Sequence, residues 1–295
     1  LKLSRVKVVT NEVIMPGTHV LELDAPRLGR AATPGQFVHL RVGDSWDPLL
    51  RRPMSIYTVR PRGVSILVRE VGRGSDLIAR TEPGRSLDCL GPLGRGFSLD
   101  RRHTRLLMIG GGYGVAPLIG LAESALEGPG EVEVTLLVGA ASAEHVFPAR
   151  LLPPAIEYHA ATMDGSLGHA GYVTELIPRF LDWADAVYAC GPHGMLESVA
   201  RECHSRPCVP VQLAMEQRMG CAMGVCLGCV TTTVHGYKRV CRDGPVFQAE
   251  ELIWEAAPSG FGEMDDIPSS RGDAGNGVGA GFKPAPTAAR MRHGR

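Results

Sequence analysis

The chain has 295 residues, 44% of them hydrophobic, which is enough apolar material for two or three globular modules. Its 31 basic and 31 acidic residues cancel, so nothing points to a nucleic-acid or membrane-surface partner. No apolar run approaches the roughly 20 residues that cross a bilayer, and the start Leu1-Lys2-Leu3-Ser4-Arg5-Val6 lacks the plan of a signal peptide, so a cytoplasmic protein is expected.

Residues 1–102 read as all-β. Val6-Lys7-Val8-Val9, His19-Val20-Leu21-Glu22-Leu23, Phe37-Val38-His39-Leu40-Arg41-Val42 and Val64-Ser65-Ile66-Leu67-Val68 are short β-prone runs. Pro16-Gly17, Pro34-Gly35 and Arg62-Gly63 punctuate them, which predicts a barrel or sandwich. The pattern then changes. Leu106-Leu107-Met108-Ile109 enters a glycine-rich loop, and a helix is predicted over 115–126. Strands follow at 132–138 and 186–189, with a helix through Met195 to Cys203. Alternating strands and helices predict a parallel sheet over residues 103–208. Residues 209–257 form a compact glycine- and cysteine-rich segment, in which 249–257 is expected to be a short helix. Residues 258–295 hold eight Gly and four Pro without periodicity and are expected to be a disordered tail.

The chain has eight cysteines, and four crowd into Cys221-x4-Cys226-x2-Cys229-x11-Cys241. Clustering of this kind reads as metal ligation before disulfides. Four thiolates are what a [2Fe–2S] cluster requires, two for each iron, and the spacing is that of plant-type clusters. Glycines at 220, 224 and 228 let the backbone wrap closely and aim N–H groups at sulfur. A structural zinc site is the competing reading, but it favours paired C-x2-C knuckles and only one short pair exists here. Unligated core cysteines are the blander alternative.

Arg51-Arg52-Pro53-Met54-Ser55-Ile56-Tyr57 offers a guanidinium for a pyrophosphate, beside backbone that can meet a flat ring edge. Alone, an R-R-P run is more often a solvated strand end; it gains weight from its place in a β-domain ahead of an α/β domain. Leu67-Val68-Arg69 and Gly72-Arg73-Gly74-Ser75, opening a helix, form a second phosphate candidate. Ile109-Gly110-Gly111-Gly112-Tyr113-Gly114 stands between strand and helix, where a dinucleotide phosphate loop belongs, although it is not the strict G-x-G-x-x-G. A tight turn without ligand is the alternative. Cys190-Gly191-Pro192 closes another strand, where ligands of open α/β sheets gather; Cys190 by itself reads as a plain buried thiol. Gly139-Ala140-Ala141-Ser142 offers no Arg for a 2′-phosphate, which leans toward NAD over NADP.

Taken in order, these segments resemble the ferredoxin reductase-like superfamily, and more closely the electron-transfer subunits of type B dihydroorotate dehydrogenase. The likeness continues through Pro34-Gly35-Gln36-Phe37-Val38, Leu90-Gly91-Pro92-Leu93-Gly94-Arg95-Gly96-Phe97, Asp164-Gly165-Ser166, Glu216-Gln217-Arg218-Met219 and Arg239-Val240-Cys241-Arg242-Asp243-Gly244-Pro245-Val246-Phe247. It implies a multi-domain β + α/β protein: an N-terminal antiparallel Greek-key β-barrel binding FAD, a Rossmann-like parallel-sheet domain for NAD, and a small C-terminal [2Fe–2S] module. By position, Arg52, Pro53, Met54, Ser55, Leu67, Val68, Arg69, Gly74 and Ser75 would hold FAD. Gly110, Gly111, Gly112, Gly114, Cys190, Gly191 and Pro192 would face NAD. Cys221, Cys226, Cys229 and Cys241 would hold the cluster, and hydride transfer would need no side-chain nucleophile. The resemblance further implies an FMN-containing catalytic subunit, two copies of each chain, and a role in pyrimidine (UMP) synthesis. The rival within the same architecture is the FAD/[2Fe–2S] subunit of a ferredoxin:NADP oxidoreductase or sulfhydrogenase. The rival outside it is a zinc-stabilised binding module.

Overall fold

The computed structural model describes residues 2–43 and 47–254. The expected tail, 258–295, lies outside the described residues.

The first part is a closed barrel. Its elements are β1 (Lys2–Met15), β2 (Thr18–Asp24), α1 (Pro26–Ala31), β3 (Phe37–Leu40), β4 (Arg52–Arg60), β5 (Gly63–Arg69), α2 (Arg73–Ala79) and β6 (Ser86–Leu93). The strands pair antiparallel in the order β1-β2-β5-β4-β3-β6 and close through β1 and β6. Alternation along the strands turns Val6, Val8, Leu21, Leu23, Val38, Leu40, Ile66 and Val68 into one barrel core. Side chains on the other face are left for neighbouring elements or ligands.

The second part is an α/β sheet. It contains β7 (Arg105–Gly111), α3 (Val115–Leu126), β8 (Glu133–Ala140), β9 (Ile156–Thr162), β10 (His169–Ala170), α4 (Ile177–Phe180), β11 (Ala186–Cys190), α5 (His193–Cys203) and β12 (Val211–Ala214). Helix α3 is apolar along most of its length, since it packs on the sheet on one side and on β4 of the barrel on the other. Tyr57 of β4 shares a core with Ile119 and Ala122.

The last part carries β13 (Val230–Thr233), β14 (Gly236–Arg239), α6 (Val240–Asp243) and β15 (Val246–Gln248). Strands β13 and β14 form a hairpin. Strand β15 instead joins the large sheet, whose order is β10-β9-β8-β7-β11-β12-β15. It is the one antiparallel member, with Leu213 opposite Phe247. The helix expected over 249–257 is, within the described residues, a single 3-10 turn at Ala249–Glu251. Beyond it Leu252 bridges to Thr233, and Ile253 N–H donates to Thr232 C=O. Pairing with the hairpin competes with helical hydrogen bonds and wins.

Candidate functional site

Three groups of residues emerge, one in each part of the chain. The first lies on β4. Its register places Arg52 opposite Leu40, Pro53 opposite His39, Met54 opposite Val38 and Ser55 opposite Phe37. Met54 packs against the barrel core, so Pro53 and Ser55 face outward. The Arg52 guanidinium donates to Leu50 C=O at 2.7 Å and lies across Gly74 at the start of α2. A Cβ on Gly74 would come 2.5 Å from Arg52 Nε, so a side chain there would push the guanidinium out of this position. Ser75 is committed locally: its hydroxyl accepts from Val71 and Gly72 N–H and donates to Gly72 C=O. It shapes the turn that opens α2. Val68 points into the barrel, so only its backbone can meet a ligand, whereas Arg69 reaches out over the Tyr113 ring at 5.8 Å.

The second group sits at the carboxyl edge of the parallel sheet. Strand β7 runs through Gly110 and Gly111, a 3-10 turn spans Gly112–Gly114, and α3 starts at Val115. Gly110 pairs with Val138 on one side and Cys190 on the other. A Cβ on Gly114 would lie 2.6 Å from Cys190 C=O, so the loop nests directly on Cys190-Gly191-Pro192. The two segments thus form one crevice where such sheets bind ligands. Burial, with a further contribution from Glu216, pushes the Cys190 thiol well above its ordinary pKa. It is a protonated packing group at neutral pH. Beside the crevice, Ala143 N–H donates to Ser166 Oγ, which in turn donates to Asp164.

The third group is the cysteine loop. The Cys221 sulfur accepts from Met223, Val225 and Cys226 N–H at 3.3–3.4 Å. The Cys241 sulfur accepts from Gly224 N–H at 3.2 Å, and Cys229 sulfur accepts from Cys241 N–H at 3.4 Å. Burial raises the Cys221 thiol, but the three N–H groups outweigh it and bring the pKa down to about 6. Burial and then the neighbouring Cys229 thiol push Cys241 up to about 12, against the Gly224 N–H. The four thiols therefore fall into two pairs, 221 with 226 and 229 with 241. Among the described residues no three His, Cys, Asp or Glu side chains converge as a single metal ion would require. Ala222 and Leu227 take left-handed backbone, φ 55° and 59°, at non-glycine positions. Such strain marks a loop shaped for a ligand.

The chemistry of these donors fits the groups expected. Two thiol pairs ringed by N–H donors suit a two-iron cluster. The Arg52–Gly74 cradle and the outward face of Pro53 and Ser55 suit a flavin with its pyrophosphate. The residues of the barrel and the cysteine loop share one core, in which Phe37, Leu93, Ala222, Cys229 and Cys241 pack together.

The sequence alone marks Arg239 and Asp243 only as part of the family likeness and assigns them no role. Arg239 donates to Asp243 through N–H and Nε, and through Nη1 to Gly224 C=O at 3.1 Å, strapping the loop down. The four-residue spacing of Arg239 and Asp243 around Cys241 was the available signal. His39 is fully buried beside Pro53, and nothing in a β-prone run distinguishes it. A cleft of about 830 Å³ near Met15, Phe147 and Arg179 contains none of the expected site residues.

Comparison with known proteins agrees with this arrangement. The model of the iron–sulfur cluster binding domain of dihydroorotate dehydrogenase B matches residues 216–253. The electron transfer subunit of dihydroorotate dehydrogenase B (NAD(+)) from Desulforamulus reducens is 39% identical over 258 residues, covering 84% of this chain and 97% of its own. The corresponding subunit from Geobacillus kaustophilus is 40% identical over 257 residues, covering 84% and 98%. Among solved structures, the NADH-dependent reduced ferredoxin-NADP oxidoreductase aligns with TM-score 0.75 at 25% identity, over 84% of this chain and 90% of that one. A ferredoxin NADP+ reductase from Neisseria gonorrhoeae, TM-score 0.59 at 16% identity over 73% of this chain and all of its own, shares the fold. Sequence, cysteine loop and architecture agree, and the chain belongs to the family of electron transfer subunits of dihydroorotate dehydrogenase B.

Proposed function

We propose that this chain takes electrons from a catalytic partner that oxidises dihydroorotate to orotate, and delivers them to NAD+. The observation that carries the reading is the cysteine loop, with two thiol pairs each accepting backbone N–H groups. By role, residues 1–102 hold FAD, 103–208 hold NAD, and 209–257 hold the [2Fe–2S] cluster. When bound, the cluster carries single electrons and the flavin exchanges either one or two, the pair as hydride with a nicotinamide.

The chain's own residues supply binding and orientation. Arg52 meets the pyrophosphate over Gly74, while Pro53 and Ser55 border the ring. The Gly110–Gly114 turn opens α3 toward the nucleotide phosphates, and Gly191 and Pro192 border the nicotinamide side. Backbone N–H groups around Cys221 favour the thiolate form that iron requires, and the Gly224 N–H aims at the Cys241 sulfur. NAD rather than NADP is supported by the absence of an Arg between Gly139 and Ser142 and by the NAD(+) in the relatives' names.

The partner is an FMN-containing catalytic subunit, in an assembly of two copies of each chain, in the cytoplasm. Around the cluster loop Met223, Val225, Leu227 and Tyr237 are exposed, Val225 by 76% and Tyr237 by 79%. An apolar rim of this kind is suited to docking a protein beside the cluster. Among the described residues no helix is long and apolar enough to cross a membrane. The rival ferredoxin:NADP oxidoreductase reading has less support, with 25% identity to that structure against 39–40% to the pyrimidine subunits.

Co-expression with the FMN subunit, followed by assay of dihydroorotate-dependent NADH formation, tests the proposal directly. A stable complex that forms no NADH from dihydroorotate would defeat it. Arg52→Ala is expected to weaken FAD retention by about tenfold or more, from loss of a charge-assisted phosphate contact. Flavin content after gel filtration measures this, and unchanged occupancy removes Arg52 from the site. Val225→Asp should leave cluster absorbance intact but weaken association with the catalytic subunit by about tenfold. Titration of the two purified subunits reads that change.

A further inference from the structure

The four proposed cluster ligands come from two separate stretches, the loop 221–229 and Cys241, which follows the β13–β14 hairpin. Something must hold these stretches together before iron does. Gly224 N–H donates to the Cys241 sulfur, and Cys241 N–H donates to the Cys229 sulfur. Val240 N–H donates to Cys229 C=O at 2.8 Å, and Arg239 Nη1 donates to Gly224 C=O at 3.1 Å. Among the described residues, only the last of these links uses a side chain other than cysteine.

Arg239 is itself held. Its N–H and Nε both donate to the Asp243 carboxylate, at 2.9 and 3.0 Å, so the pair brackets Cys241 in sequence. A surface ion pair contributes little by itself. This one is mostly covered, with side chains 28% and 19% exposed, and its guanidinium has a donor left for Gly224. Gly224 is thereby caught from two sides, by the Cys241 sulfur on its N–H and by the guanidinium on its C=O. Its backbone is left-handed, φ 77°, and Arg242 Cδ lies 2.7 Å from where a Cβ would stand. Glycine has the most conformational freedom to lose, so an outside hold matters most at such a position.

We infer that Arg239 is a positioning residue for the cluster, holding Gly224 so that its N–H stays on the Cys241 sulfur. The inference rests on the reading of Cys221, Cys226, Cys229 and Cys241 as cluster ligands. Hydrogen bonds to the sulfurs and nearby charge both set a cluster's reduction potential. A lost N–H bond disfavours the reduced form, which carries more negative charge. The Asp243 carboxylate offsets the guanidinium charge, which leaves geometry as the main effect of Arg239.

The test uses the full chain, loaded with FAD and cluster, and compares wild type with Arg239→Lys and Arg239→Met. Lysine keeps the charge but lacks the planar fork that reaches Asp243 and Gly224 at once. Methionine keeps an unbranched stem and loses both the charge and the bonds. Each variant should lower the cluster's reduction potential, read by an EPR-monitored redox titration. At a fixed poise the ratio of reduced to oxidised cluster should fall about fivefold, one hydrogen bond's worth. FAD content should not change, which shows that the rest of the chain has folded. A merely structural role would lower the melting temperature and leave the potential of the loaded cluster where it was. If lysine keeps the wild-type potential while methionine lowers it, charge alone acts and the positioning role is overturned. It is overturned equally if neither variant moves the potential. Should the methionine chain not fold, the lysine chain gives the same reading by itself. Wild-type protein that binds no iron would instead overturn the cluster reading, before Arg239 is considered.

Discussion

Cys226→Ser is expected to remove the [2Fe–2S] spectrum and reduce dihydroorotate-dependent NADH formation in the complex by about a thousandfold, equivalent to roughly 4 kcal/mol. NADH oxidation by an artificial acceptor should persist, because the flavin and nucleotide groups are untouched. Cys226 is the informative cysteine because it is exposed, unlike Cys229 and Cys241. Serine at either buried site would place a hydroxyl in the core shared with Phe37 and Leu93, at a cost of about 1–3 kcal/mol. Loss of activity there would mix misfolding with loss of iron. At position 226 the change removes one iron ligand and little else. Full transfer by the Cys226→Ser complex would take the cluster off the electron path.

Gly114→Val should give the mirror image: cluster and flavin absorbance retained, NADH oxidation by any acceptor lowered by about a hundredfold. Gly114 has ordinary right-handed backbone, so strain is not the cause. The cause is space. A Cβ there would lie 2.6 Å from Cys190 C=O and 2.8 Å from Gly191 Cα, both backbone atoms that cannot swing aside. The loop must lift from Cys190-Gly191-Pro192, opening the crevice proposed for NAD. Overpacking of this kind also costs about 1–3 kcal/mol of stability, so thermal melting should accompany the kinetics. Unchanged KM for NADH with unchanged kcat would show that the crevice is not the nucleotide site. Together the two variants divide the path at its ends: one keeps the nicotinamide reaction without the cluster, the other keeps the cluster without the nicotinamide reaction.

What could be read from the sequence was local. Helix α3 occupies the predicted 115–126, because its apolar run and the glycines before it fix both ends. The cysteine spacing and the strand-turn-helix at Gly110 are likewise short-range patterns. The strands that escaped notice depend on distant partners. Strand β1 runs for 14 residues, although only Val6-Lys7-Val8-Val9 announced it, because β2 and β6 each pair with a different stretch of it. Strand β15 has three residues and exists only because β12 lies beside it. The same limit applied to the site. Arg52 and Gly74 were picked separately, each as a phosphate candidate; that the guanidinium lies across Gly74, 22 positions later, is a property of the fold.

Strand β15 ties iron content to colloidal behaviour. It occupies the outer border of the large sheet, and its anchor just upstream is double: Arg95 N–H donates to Gly244 C=O, and Met215 N–H to Pro245 C=O. Cys241, a proposed cluster ligand, lies only a few residues before that anchor. Without metal the segment loses a tether, and when it frays β12 shows a bare row of amides and carbonyls to any other chain. Iron starvation should therefore make this protein sticky as well as inactive, and preparations low in iron should clump before they unfold.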